Sequence, residues 1–221
     1  MTFTFPSGTL TFAAARSCGL LRQLVAHAVR RLRPGRVVSA LLALTLLAAL
    51  PTHAREPVLL VASPGLSDPN FHATVVLVVF PENGAPTGVV LNRRIDIPWA
   101  EAFAEDEVLG KLSDPIYLGG PVRQDMLWFL VRSTAAPDDS FPVLGDLHLS
   151  TDASFLDRWL TDGGRIERFF VGYAGWTPAQ LEREIELGFW HVLPADLDSI
   201  LDERPDQLWH RLLARATAVE I

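Results

Sequence analysis

Ser63, Asp68 and His72 stand close together in the stretch "VASPGLSDPNFHATVVLVV" (61–79), and these residue types are those of a nucleophile, an orienting acid and a general base. Arranged as a triad they would perform acyl transfer. The surrounding pattern argues against it. A hydrolase serine of the elbow type needs glycine two positions before it, and position 61 is valine. Ser63-Pro64-Gly65 instead reads as the end of a strand, and Ser67-Asp68-Pro69 as a turn before the next one, with Asp68 bonding the backbone beyond it. On this reading Phe71 drops into the core.

Other chemistries find less support. The histidines after residue 54 are His72, His148, His191 and His210, and none has a partner at zinc-type spacing. Asp146 and His148 lie two apart, on one face if they belong to a strand, which two ligands do not make into a metal site. Gly119-Gly120-Pro121 is too short to cradle phosphates and reads as a tight turn in which glycine supplies positive φ. Tyr173, Trp176 and Trp190 gather near one helix and could line a pocket or simply pack. Neither a cofactor nor a metal is expected.

These residues need a scaffold. Apolar runs "VLLVA" (58–62), "HATVVLVVF" (72–80) and "GVVLNR" (88–93) read as strands, the last two joined by a hairpin loop "PENGAPTG" (81–88). "PIYLGG" (115–120) and "MLWFLVR" (126–132) read as a strand pair about the Gly-Gly-Pro turn, and "RIERFFVGYAGW" (165–176) as a further strand. Helices are expected over 98–110, 150–164, 177–188 and 205–216. The third is the best marked: Thr177 and Gln180 form a capping box, Pro178 takes the first helical position and Gly188 ends it. The order is α+β with hairpins, not a regular βαβ alternation.

Ahead of this body lies a different segment. Residues 37–50, "VVSALLALTLLAAL", carry no charge, follow "RRLRPGR" and precede "PTHA". The run is shorter than the roughly 20 residues a membrane span needs. It matches the apolar region of a secretory signal, with cleavage expected after Ala54. The part before it, about 36 residues, is long for such a signal: either the start codon lies downstream, for example at Val25 or Val29, or the long leader is real. An uncleaved anchor is the other reading. The first 54 residues hold six of the 19 basic residues and no acid, which leaves 13 basic residues against 26 acidic ones and a net charge of −13 for the body. So acidic a body repels nucleic acid, whose phosphates demand clustered Lys and Arg. Cys18, the sole cysteine, lies in the leader, so the body forms no disulfide.

Four blocks in order resemble the YqgE/AlgH family: "LLVASPGLSDPNFHATVVLV", "PTGVVLNRR", "YLGGPVRQDMLWFL" and "FFVGYAGWTPAQLEREIELGFWHVLPADLDSIL", together spanning about residues 58–201. The resemblance implies a single α+β domain whose mixed, branched β-sheet curls into a pseudo-barrel with flanking helices. It implies no reaction, since the family brings no catalytic residues to carry over. Its typical members are cytoplasmic, lack a leader and in some cases carry a regulator label. This chain differs from them in the leader and in the loop "PENGAP" (81–86).

The resulting expectation is a leader over 1–54 and a YqgE/AlgH-like domain over 55–221, exported to the periplasm and acting as a non-enzymatic binding or interaction domain. Its partner is an unknown protein or small molecule, and it meets a membrane only through an uncleaved leader. The candidate surface comprises Asn92, Gly119, Gly120, Pro121, Tyr173 and Trp176. The alternatives are a cytoplasmic transcriptional regulator and a hydrolase using Ser63.

Overall fold

Val75–Val79 (β2) is a strand with all five residues buried, because both of its faces are covered. Leu77 and Val79 face one apolar cluster, Val76 and Val78 another. A strand packed on both sides reads as a continuous apolar run instead of an alternating one. The structure is a computed structural model, in which residues 55–82 and 84–218 are described. The expected leader, 1–54, and Asn83 of the 81–88 loop lie outside them.

The described residues form ten strands and five helices. Besides β2, the strands are β1 (Val58–Ala62), β3 (Thr87–Val90), β4 (Arg94–Ile95), β5 (Ile116–Leu118), β6 (Val122–Arg132), β7 (Ser140–Leu144), β8 (Leu147–Ser150), β9 (Arg168–Gly175) and β10 (Trp190–Pro194). The helices are α1 (Trp99–Ala102), α2 (Ala153–Thr161), α3 (Pro178–Glu186), α4 (Leu197–Ile200) and α5 (Pro205–Ala218). The main path of the sheet runs β10-β1-β2-β3-β9-β6-β8-β7, with every pair along it antiparallel. The sheet branches at β9, which also takes β5 in parallel, and β4 extends that branch.

The sheet is curled. Its concave face gathers Leu59, Val75 and Leu77 from one half and Leu130, Leu147 and Phe170 from the other, closed by Leu208 and Leu212 of α5. The convex side is covered in two parts. Over β1–β3 lie Leu181 of α3, Trp176 and Trp190. Over β6 and β9 lie Leu156 of α2, Trp99 and Leu109. This is the α+β domain that the residue pattern implied, with the branched, curled sheet that the family resemblance implied.

Several local expectations are corrected. The helix expected over 98–110 is a single turn, α1, and a separate 3-10 turn at Leu109–Lys111. Phe103 leaves helical geometry, and the Asp106 carboxylate accepts the N–H groups of Val108 and Leu109, both at 2.9 Å. Such local bonds compete with helix continuation. β5 and β6 do not pair about a turn: they flank β9 on its two sides. The link between them passes over β9, and this is why it is glycine. A Cβ on Gly119 would sit 3.0 Å from Phe170 Cβ, and one on Gly120 would sit 2.6 Å from the Ala174 nitrogen. Close backbone approach, not positive φ, is the demand at both positions; the left-handed residue at the crossing is Gly172 (φ 70°). The β7–β8 hairpin was not read from the sequence, because Pro142 breaks the strand signal; it is tolerated there because β7 is an edge strand.

Candidate functional site

The stretch between β1 and β2 is a tightly bonded turn. The Leu66 N–H donates to the Ser63 carbonyl (3.0 Å), and the N–H groups of Phe71 and His72 donate to the Asp68 carbonyl (3.0 and 2.8 Å). The Asp68 carboxylate accepts from the Asn70 N–H at 2.8 Å, the expected Asx turn. His72 Nδ1 lies 3.2 Å from the Leu66 carbonyl oxygen. Asp68 thus serves the backbone and His72 faces a carbonyl, so the three residues do not assemble as a triad.

Asn92 and Arg93, just beyond β3, brace this turn from behind. Asn92 Oδ1 accepts from the Val75 N–H (2.8 Å) while its Nδ2 donates to the Ala73 carbonyl (2.9 Å). This holds Ala73 at φ 52°, a conformation that L residues rarely adopt. Arg93 donates to the carbonyls of Pro69 and His72 at 3.0 and 3.2 Å. Burial lowers its pKa, opposed by the charge of Asp68.

Phe71 is half-buried and not a core residue. Its ring meets Trp190 edge-on at 5.7 Å and Trp176 at 6.0 Å. The two tryptophans stand edge to face, 6.2 Å apart. Both indole N–H groups converge on one oxygen of Glu184, from Trp176 at 3.0 Å and from Trp190 at 2.8 Å. The other oxygen accepts from Gln180 Nε2 at 2.9 Å. Gln180 and Glu184 are one turn apart on α3, where i, i+4 neighbours share a face. The helix starts with half of the expected capping box: Thr177 Oγ1 accepts from the Gln180 N–H (3.2 Å) and Pro178 takes the first position, while the Gln180 side chain turns to Glu184 instead of back to the cap.

Together these residues border a groove of about 710 Å³, whose other walls include Asp68, Pro121, Val122 and Phe189. Val122 and Phe189 are both exposed apolar side chains. Two carboxylates, Asp68 and Glu184, line the groove, and among the described residues no Lys, Arg or His does. Such a site favours a ligand that brings a positive charge and apolar contact, since carboxylates and aromatic faces both attract cations.

The structure divides the residues of the expected surface. Pro121 and Trp176 border this groove. Tyr173 packs toward the concave cluster while Ala174 and Trp176 belong to the convex one, so Tyr173 opens onto another cavity beside Trp128. Asn92 spends its side chain on the β1–β2 turn, and Gly119 and Gly120 are buried at the strand crossing. Sequence reasoning missed Glu184 and Gln180 as groove residues. Their signal was the four-residue spacing on a helix with a tryptophan before its start and another after its end. Asp146 and His148 do not form a pair: Asp146 binds Arg132 at 2.9 Å.

The comparisons with known proteins agree with this architecture. Residues 59–219 match the model of the DUF179 family, described as AlgH-like. A UPF0301 protein of Thermobifida fusca is 38% identical over 174 residues, 71% of this chain and 84% of that protein. One of Myxococcus xanthus is 34% identical over 160 residues, covering 71% and 88% of the two chains. The solution structure of the AlgH protein from Pseudomonas aeruginosa superposes with a TM-score of 0.59 at 29% identity, over 77% of this chain and 91% of that one. A crystal structure from Corynebacterium diphtheriae, with a TM-score of 0.57 at 24% identity, shares the fold over 72% and 86% of the two chains. On the family match, the relatives and the curled sheet alike, the chain belongs to the YqgE/AlgH family.

Proposed function

We propose that the domain is a non-enzymatic interaction module whose aromatic groove takes an extended segment of a partner protein carrying a basic side chain. The observation behind this reading is the lining itself: among the described residues, Asp68 and Glu184 are its charged groups, no basic side chain joins them, and the rings of Phe71, Trp176, Phe189 and Trp190 stand around them. The net charge of −13 over residues 55–221 draws the same kind of partner at long range. A volume of about 710 Å³ holds more than one side chain. We also read residues 1–54 as an export leader, on the strength of the uncharged run 37–50 between "RRLRPGR" and "PTHA".

Fluorescence anisotropy tests the groove. The full chain is titrated into a dye-labelled peptide of alternating leucine and arginine, and into the same peptide with glutamate for arginine. Binding of the basic peptide alone, weakened by Glu184→Gln, is the expected result. Equal affinity for both peptides, or for neither, refutes it. Terminal sequencing of the protein from its native host tests export: a start at Arg55 is expected, and an intact leader in the cytosolic fraction contradicts it.

A further inference from the structure

We propose that the partner segment is held by strand addition: it pairs backbone to backbone with the free edge of β10, in the register that sends its basic side chains into the groove. This rests on the groove reading for its occupant and adds how that occupant is gripped. β10 ends the main path of the sheet, with β1 on one side and no strand among the described residues on the other. A free edge is a row of unpaired donors and acceptors, which proteins commonly blunt with charged side chains or proline. Residues 187–194, "LGFWHVLP", hold no Asp, Glu, Lys or Arg, and their one proline stands at the last position of the strand. Leu187, Phe189 and Val192 are exposed apolar side chains along this edge.

The ladder with β1 shows which backbone groups are open. The Ser63 N–H donates to the Phe189 carbonyl at 2.9 Å, just past one end of the pair, and the Ala195 N–H to the Pro57 carbonyl at 3.4 Å, just past the other. In an antiparallel ladder the pairs that exchange hydrogen bonds alternate with those that do not. His191 and Leu193, opposite Val61 and Leu59, therefore turn their backbone groups to β1, while Trp190, Val192 and Pro194 turn theirs to the free side. Trp190 is 4% exposed and Val192 44%, so Val192 is the residue a partner strand can reach with both bonds; Pro194 adds only a carbonyl. The Val192 side chain shares the convex face with Trp190 and with Leu60 opposite it. A partner residue paired with Val192 has its side chain on that same face. Trp190, a wall of the groove, is two residues along the strand, about 7 Å, a distance that a long basic side chain spans toward Asp68 and Glu184. A second copy of the chain would bring another body of charge −13 to the same edge, whereas a basic segment is drawn to it.

The test uses the full chain and the peptide of alternating leucine and arginine, in two further forms: N-methylated at every arginine, or at every leucine. A strand points successive N–H groups to opposite sides, and the register above turns those of the arginines to β10. Methylation at arginine is therefore expected to weaken binding about 10-fold or more, the loss of at least one hydrogen bond, with the charge unchanged. Methylation at leucine is expected to leave the affinity within about 2-fold. Val192→Pro, which removes the outward N–H at an edge position where proline is tolerated, is expected to weaken the unmodified peptide about 10-fold. Equal affinity for the two methylated peptides while the preference for arginine over glutamate persists overturns strand addition and leaves the groove reading standing. A lost charge preference with the methylation difference intact refutes the groove reading alone, and binding of no peptide overturns both. A dimer of the free chain that Val192→Pro dissociates shows the edge taken by a second copy and overturns the proposal as well. The comparison of the peptides on the unaltered chain decides the matter even if the variant fails to fold.

Discussion

Glu184→Leu removes the acceptor shared by Trp176 and Trp190, and its effect can be worked out from the geometry. Two indole N–H groups bond one carboxylate oxygen at 3.0 and 2.8 Å, and both rings are buried. A hydrogen bond to a charged group contributes roughly 1.5–3 kcal/mol, and an unsatisfied donor costs a similar amount. Glu184 is half-buried, so water replaces part of the lost interaction and the lower end of that range applies. The two bonds together then contribute about 3 kcal/mol. For a domain of this size that corresponds to a fall in melting temperature of about 6–12 °C. Glu184→Gln keeps a carbonyl oxygen as acceptor, so its loss should be about 1 kcal/mol. Thermal denaturation followed by circular dichroism measures both. The indole resonances of Trp176 and Trp190 should move in E184L while that of Trp99, bonded elsewhere, stays. A melting temperature for E184L within about 2 °C of the parent would refute the idea that this carboxylate organises the groove.

Gly120→Ala forces a Cβ against the backbone of Tyr173 and Ala174, and should cost about 3 kcal/mol in chemical denaturation. Gly65→Ala, whose Cβ meets nothing nearer than Ser63 Oγ at 3.9 Å, should stay within about 0.5 kcal/mol of the parent. Asn92→Ala frees the Val75 N–H and the Ala73 carbonyl and should cost about 2–3 kcal/mol, whereas Ser63→Ala should cost less than about 1 kcal/mol; the reverse order in melting experiments contradicts the structural reading of the turn. Acid should loosen the docking of α5. Partial burial pushes Asp196 and Asp202 up, but the Ser199 N–H, the Ser199 hydroxyl and Arg215 on the first, and the Arg204 N–H and Arg211 on the second, hold both below the ordinary carboxylate value. Groups depressed in the folded state stabilise it fully above the unfolded value, about pH 4, and lose that contribution as the pH falls through the folded value. Melting temperatures between pH 5 and 2.5 should therefore fall, and less steeply in D196N and D202N; equal slopes would count against these contacts.

Much of this protein was legible in its sequence because the relevant forces are local. Val75–Val79 needs only its β-branched run to be read as a strand covered on both faces. Thr177, Pro178 and Gly188 mark the ends of α3 through backbone groups that any helix leaves unpaired. The turn at Asp68 follows from its own side chain reaching the Asn70 N–H. What the sequence did not disclose depends on residues far apart in the chain. Gly119 and Gly120 read as a turn, and only the passage of that link over β9 shows that they are there for closeness of approach. Tyr173 and Trp176 look like neighbours of one surface, yet the pleat sends them to opposite faces of a curled sheet, into separate cavities. Glu184 looks like one more acid on an amphipathic helix. It becomes the centre of the groove because Trp176, just past the end of β9, and Trp190 of β10, strands that do not pair with each other, bring their N–H groups to the same oxygen. Local propensity carries no information about such a meeting, which the closing of the sheet alone creates.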